Sequence, residues 1–408
     1  MMAAVTVKIA FDLAAAGRGD FFTIGDAVKG AWGTASSPLA GDILTDVTSD
    51  VQAISFRRGR SRELDLYQAG QAQVDLDNRN RYYDPTAGTA ISPYAPSIVP
   101  RKELTVEIEG ARQFSGQIED WDLSFEPSGR SISTAKASDG FVFLSNNTIN
   151  DHTTTEQTTG QRISAILDRT EVGWPSARRN IDTGQATVQA DAITNNRSVL
   201  EYLNKVSEAE PGALFISRNG LLTFRDRNSL QQVTDVTFAD DGTGIPFMSI
   251  GVEYGTESLR NQVSVARLNG GTAVAGDAAS QDAYGVIEYK IAGSLLSTDA
   301  AADDLAAWII GIYSEPTLRI NSLTVDLSAI TSQQLADVLS LELGDAAQVV
   351  FTPNGVGDPI SRYVSVDSIQ ANLTPARQQM TFGFSQAPAA FTLNSPALGE
   401  LDDDILGF

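Results

Sequence analysis

The chain has 408 residues, 42% hydrophobic and 20% charged. These are the proportions of a folded protein with a sizeable core, and the length suits two or three domains. Its net charge of −22 repels phosphate backbones and anionic membranes, which argues against wrapping of nucleic acid. Cysteine is absent and His152 is the lone histidine. Disulfides, thiolate metal sites and Cys nucleophiles are thereby removed, a triad or zinc site has one histidine to share, and the composition fits folding in a reducing cytosol.

The first eight residues alternate in polarity instead of showing a charged-then-apolar leader, and no apolar run approaches the roughly 18 residues of a membrane span. Period-two alternation then dominates: Ala72, Val74 and Leu76; Leu104, Val106 and Ile108; Trp121, Leu123 and Phe125. Each set predicts a strand with one buried and one wet face, as in an antiparallel sheet. Turns are expected at 84–88 and 126–129, where Pro and Gly fall together. Residues 1–142 read as an N-terminal β-barrel.

Residues 145–160 are polar and read as an exposed linker. Ile163, Ile166 and Leu167 mark a helix after it, and Val199, Tyr202, Leu203 and Val206 mark another at 3.6 spacing. Ser198 with Glu201 has the pattern of a capping box for the second helix, which Pro211-Gly212 ends. Asn219-Gly220 between two apolar runs predicts a hairpin, because both residues tolerate positive φ. Residues 143–240 thus read as an inserted α+β module.

In the last region Thr298 is placed to cap a helix carrying Leu305, Trp308, Ile309 and Ile312, stopped by Pro316. Thr331 and Gln334 suggest a second capped helix with Leu335, Val338 and Leu339. Strands are expected at 323–327, 348–351, 363–369 and 380–384. Residues 241–390 read as a second barrel with flanking helices, and 391–408 as an acidic, apolar tail.

A self-similarity links the two ends of the chain. Residues 118–132 set without gaps on 366–380 place Ile118, Trp121, Leu123, Phe125 and Ile132 on Val366, Ile369, Ala371, Leu373 and Met380, with Pro127 on Pro375 in the turn. Two related β-barrels explain this pattern; two unrelated hairpins that look alike are the alternative. The fold class expected is mainly β, two tube-like barrels separated by a small α+β insert.

Few residues suggest chemistry. Arg57, Arg58, Arg60 and Arg62 form the one basic cluster. Arginines can clamp phosphate, but in so acidic a chain contact with acidic protein surface is the better reading. Glu119, Asp120 and Asp122 invite a glycosidase reading, which a solvated strand face explains more simply. The stretch 75–80 begins like a calcium loop, yet Arg79 stands where a ligand should and the glycine is missing. The tripeptide Arg18-Gly19-Asp20 carries little specificity, Gly270-Gly271 reads as a turn, and His152 reads as exposed in the linker. No catalytic residue, metal site or cofactor is expected.

Several pieces in order resemble a known family. They are Ile54-Ser-Phe-Arg-Arg-Gly-Arg60, Ala69-Gly70 through Asn78, Tyr83-Asp84-Pro85, Tyr94 and Pro96, Phe114-Ser115-Gly116, and Ala137-Ser-Asp-Gly140. Asn261-Gln-Val263, Gly270-Gly271, Ser280, Tyr284-Gly285, Tyr313-Ser-Glu-Pro316 and Leu341-Glu-Leu-Gly344-Asp345 continue the pattern. Together they resemble minor tail proteins, or baseplate hubs, of long non-contractile-tailed bacteriophages.

That resemblance implies a structural virion protein at the distal end of the tail, made in the host cytoplasm. It implies a homotrimer of two-barrel chains, so that six similar units dock beneath a six-fold tail tube while a three-fold fibre or spike attaches below. The implied partners are the distal tail protein, the tape-measure protein, fibre or spike proteins, and phage DNA in passage. The contact residues expected are the four arginines, and Asp402, Asp403, Asp404 and Phe408 in a tail that would dock at assembly. The rival readings are a hexameric distal tail protein and a carbohydrate-binding tail adhesin.

Overall fold

The computed structural model describes residues 2–11, 43–231 and 233–387. Among the described residues thirteen strands join in one sheet. Along the chain they are β1 (Val5–Phe11), β2 (Ile43–Asp46), β3 (Val51–Gly59), β4 (Gln68–Asp77), β5 (Glu103–Ile108), β6 (Ala111–Phe125) and β7 (Ser131–Ser138), then β8 (Val233–Ala239), β9 (Ser249–Glu253), β10 (Arg319–Asp326), β11 (Ala346–Phe351), β12 (Ile360–Thr374) and β13 (Arg377–Gln386). The main path runs β9-β10-β13-β12-β3-β4-β7-β6-β5-β1-β2, with β11 also on β12 and β8 on β11.

This path contains one unit twice. The order β3-β4-β7-β6-β5-β1 in the first half matches β9-β10-β13-β12-β11-β8 in the second. Strands β6 and β12 each have 15 residues. Each meets its hairpin partner with a register shift at the same place, between Ile118 and Asp120 in one and between Val366 and Ser368 in the other. The bulged residues, Glu119 and Asp367, are both acidic. A shared bulge is a specific feature of a β unit, so the self-similarity extends from sequence to topology. The copies differ at one margin: β1 runs antiparallel to β5, whereas β8 runs parallel to β11.

Two details depart from the expected alignment. Ile132 pairs with Ser124, but Met380 pairs with Ala371; the second hairpin turn is one residue shorter, so the copies slip by one after the prolines. Along β6, Trp121 and Leu123 are only partly buried and Phe125 is 57% exposed. Alternation marks which side chains share a face, but not whether anything covers that face.

The insert carries α1 (Phe141–Asn146), α2 (Thr159–Leu167) and α3 (Val199–Glu208). Thr158 and Gln161 form a reciprocal capping box for α2. On α3 only half of the expected box is made: the Glu201 N–H donates to the Ser198 hydroxyl at 3.5 Å, while the Glu201 carboxylate takes Arg197 instead. The expected linker is not a free connection. Thr148–Ile149, His152–Thr153 and Gln157–Thr158 pair with short strands at 197–198, 192–193 and 187–188. Asn219-Gly220 closes the hairpin of Ala213–Ile216 with Leu222–Arg225, with Gly220 at φ +77°.

Between β9 and β10 the chain builds a separate three-stranded sheet (Gln262–Arg267, Thr272–Gly276, Glu288–Ser294) and α4 (Ala278–Tyr284). Helix α5 (Asp299–Tyr313) is capped by Thr298 and buries Leu305 and Ile309; α6 (Ser332–Ser340) has the Thr331–Gln334 capping box. Buried apolar side chains of both halves and the insert form one contiguous core. Among the described residues no helix is long and apolar enough to cross a membrane.

Candidate functional site at the seam of the two halves

The halves meet where β3 pairs antiparallel with β12, Gly59 opposite Ser368 through Ile54 opposite Leu373. Gly59 has φ +110°, and a Cβ there would stand 2.1 Å from the Asp367 carbonyl oxygen. Only glycine fits such a close approach. The Arg60 N–H donates to that same carbonyl at 2.9 Å.

The arginine cluster lies along this seam, and each of its members has a partner within the chain. Arg58 is buried and donates to Glu342 at 2.6 Å. Arg60 pairs with Asp367 at 2.8 Å and lies over the Tyr67 ring, 5.0 Å from its centroid. Arg62, exposed, reaches Glu257 at 3.1 Å. Arg57 donates to Ser61 at 2.8 Å. Three of the four thus join β3 and the segment after it to residues of the second half. The remaining contact residues expected, Asp402, Asp403, Asp404 and Phe408, lie outside the described residues, as does Arg18-Gly19-Asp20.

Other ion pairs tie the same region together. Arg319 pairs with Glu63, and Arg225 with Asp345 at 2.6 Å. Glu342 also accepts from the Arg218 N–H at 2.9 Å and from the Leu343 N–H at 2.9 Å. Burial would raise its pKa, but Arg58 and these N–H donors outweigh that and hold it below the usual range. At Glu63 burial wins and the pKa rises. Asp139, fully enclosed next to Arg58, is pushed up to about 7 by burial, against hydrogen bonds from the Phe141 and Gly70 N–H groups. Burial raises the Tyr67 phenol to about 12.

A paired, desolvated network of this kind clamps one arrangement of two units. Its acidic partners lie 284 and 307 residues from Arg58 and Arg60, so no local spacing reveals them. The signal present was order: Leu341-Glu-Leu-Gly344-Asp345 holds Glu342 and Asp345, and Ala137-Ser-Asp-Gly140 holds Asp139.

Of the acidic strand candidates, Glu119 and Asp120 line one surface cavity with Arg57 and Lys136, and Asp122 is not among its lining residues. Glu119 accepts from the Ser138 hydroxyl at 3.0 Å and Asp122 pairs with Lys136 across the hairpin. Asp77 grips Arg79, and Asn78 accepts the Tyr83 N–H at 2.9 Å, so the 75–80 stretch braces its own turn. Among the described residues no group of three His, Asp or Glu side chains is placed to hold a metal. His152 is partly buried against Arg169 at 2.5 Å, and burial together with that charge lowers its pKa. Gly270-Gly271 is a turn onto α5, with the Gly271 N–H donating to Asp299 at 3.0 Å.

No protein-family model and no curated protein matches the chain. Two solved structures share its fold almost end to end. The 43 kDa tail protein of prophage MuSo2 from Shewanella oneidensis superposes with a TM-score of 0.59 at 13% identity, over 95% of this chain and 97% of that one. The tail protein of Neisseria meningitidis MC58 gives 0.60 at 12% identity over the same shares. The fold is therefore mainly β and of the kind these tail proteins have.

Proposed function

We propose that the chain is a structural component of a bacteriophage tail, a trimeric hub at the distal tip. The observation that carries this reading is the duplicated β unit clamped by the arginine seam, in a chain whose fold matches two tail proteins, one of them from a prophage, over nearly its whole length. A chain with two like units, taken three times, offers six similar surfaces to a six-fold tube and three to a fibre or spike below. The distal tail protein, the tape-measure protein and the fibre or spike are its neighbours in the virion. The chain's role is to organise and gate a channel, not to catalyse a reaction. Its net charge of −22 suits a lumen through which DNA passes by like-charge repulsion.

Cryo-electron microscopy of the tail tip of the parent virion tests this directly. Three copies, each giving two β units to one ring with an acidic channel wall, are expected. Six copies with one unit each in the ring would move the chain to the distal tail protein, and a basic wall would overturn the role given to charge.

A further inference from the structure

We propose that the free edge of β6, at Leu123–Phe125, pairs antiparallel with the outer edge of β9, at Ile250–Val252, in a second copy of this chain. The inference rests on the trimer reading above and names the contact that would close it.

The duplication supplies the argument. Within one chain, the outermost strand of the first unit, β3, lies on the second unit's long hairpin strand, β12. The corresponding pair in the other sense is β9, outermost in the second unit, and β6, the long hairpin strand of the first. Among the described residues β9 pairs only with β10, and beyond Ile118 β6 pairs only with β7. One joint of the repeated design is made, and its counterpart has both halves present and unjoined.

Register follows from the pairings. Ile54 faces Val74 of β4 as Ile250 faces Leu323 of β10. Leu373 and Phe125 hold matching places on β12 and β6, each six residues past its bulged residue. Since Ile54 sits opposite Leu373, Ile250 belongs opposite Phe125, and Val252 near Leu123. The exposures agree. Ile54 and Leu373 are 4% and 3% exposed, whereas Phe125 is 57% exposed and Ile250 partly buried; Phe56 is 2% exposed and its counterpart Val252 40%, with Met248 and Tyr254 open at either end of β9. Unpaired strand edges are templates for another chain, and these two carry apolar side chains at the positions their counterparts bury. The contact is heterologous, so it generates a ring or a filament. Alternation with an identical internal joint makes three chains a ring of six.

The absence of cysteine makes the test clean. The double variant Phe125→Cys/Ile250→Cys, oxidised at concentrations where native mass spectrometry shows trimers, is expected to give disulfide-linked dimers and trimers. Single variants are expected to link only when mixed with each other. Trimers that form without these links would overturn the pairing and leave the trimer reading standing; monomers at every concentration, without links, would overturn both. Because cysteine could perturb the fold, Phe125→Lys is the second variant. It should keep the monomer's melting temperature and weaken trimer formation at least about tenfold, with Val356→Lys, on a residue 75% exposed elsewhere, leaving it unchanged. Protection of the Phe125→Cys thiol in monomers, relieved by deleting 388–408, would place the chain's own C-terminal segment on this edge and overturn the proposal.

Discussion

The hairpins β6–β7 and β12–β13 share a 15-residue first strand, a bulge at the same position and a proline in the turn, yet their ends meet different surroundings. Leu373 is covered because β3 lies against its strand, while Phe125, in the same place, faces solvent. Burial at this position therefore belongs to the neighbouring strand and not to the hairpin. Two copies of one design record what a strand edge looks like with and without its partner.

The largest effect is expected where the sealed joint is clamped. Glu342→Gln leaves Arg58 buried without its counter-charge, and the chain should lose about 3–5 kcal/mol in urea unfolding; a change below 1 kcal/mol would show that the clamp is not structural. Next comes the matched pair of truncations. Leu373→Ala should cost about 2–5 kcal/mol, while Phe125→Ala, on its exposed counterpart, should stay within about 0.5 kcal/mol in the monomer. Equal costs would break the comparison. Gly59→Ala, which forces a Cβ toward the Asp367 carbonyl at a positive φ, should cost about 1–3 kcal/mol by thermal melting.

The smallest expected effect is on pH dependence. Asp139 has a pKa of about 7 when folded, above its ordinary value of 3.8. Its protonated form is the one the fold favours, so its contribution is fully present below the ordinary value and is lost as pH rises from about 4 to about 7. Denaturation at pH 5 and pH 8 should show wild type losing more stability over that interval than Asp139→Asn. Parallel profiles would remove Asp139 from the seam's electrostatics. Glu342, shifted the other way, acts only at more acid pH.

The sequence made some of this legible. Alternation identified the strands of the first half, capping patterns marked α5 and α6, and 118–132 against 366–380 exposed the duplication. The turn that differs by one residue hid the slip between Ile132 and Met380, because an ungapped match cannot register it. The run 145–160 looked like a linker since two-residue bridges leave no hydrophobic period. The arginines read as contacts for acidic protein surface, but Glu342 could not be named as the partner of Arg58 because it lies 284 residues along the chain. Phe125 looked buried because period two reports a shared face, and coverage is a property of the assembled sheet.

The span between β3 and β12 also has a consequence during synthesis. Arg60 waits for Asp367, 307 residues downstream, and at about 5–20 residues per second β3 emerges with its outer edge open for roughly 15–60 s. For that interval the nascent first half presents an unpaired strand to every other growing chain. Arg57, Arg58, Arg60 and Arg62 stand along and just after that strand, and charge on an open edge discourages pairing with the wrong neighbour. Three of these arginines clamp the finished protein, and all four put charge on the edge of the unfinished one.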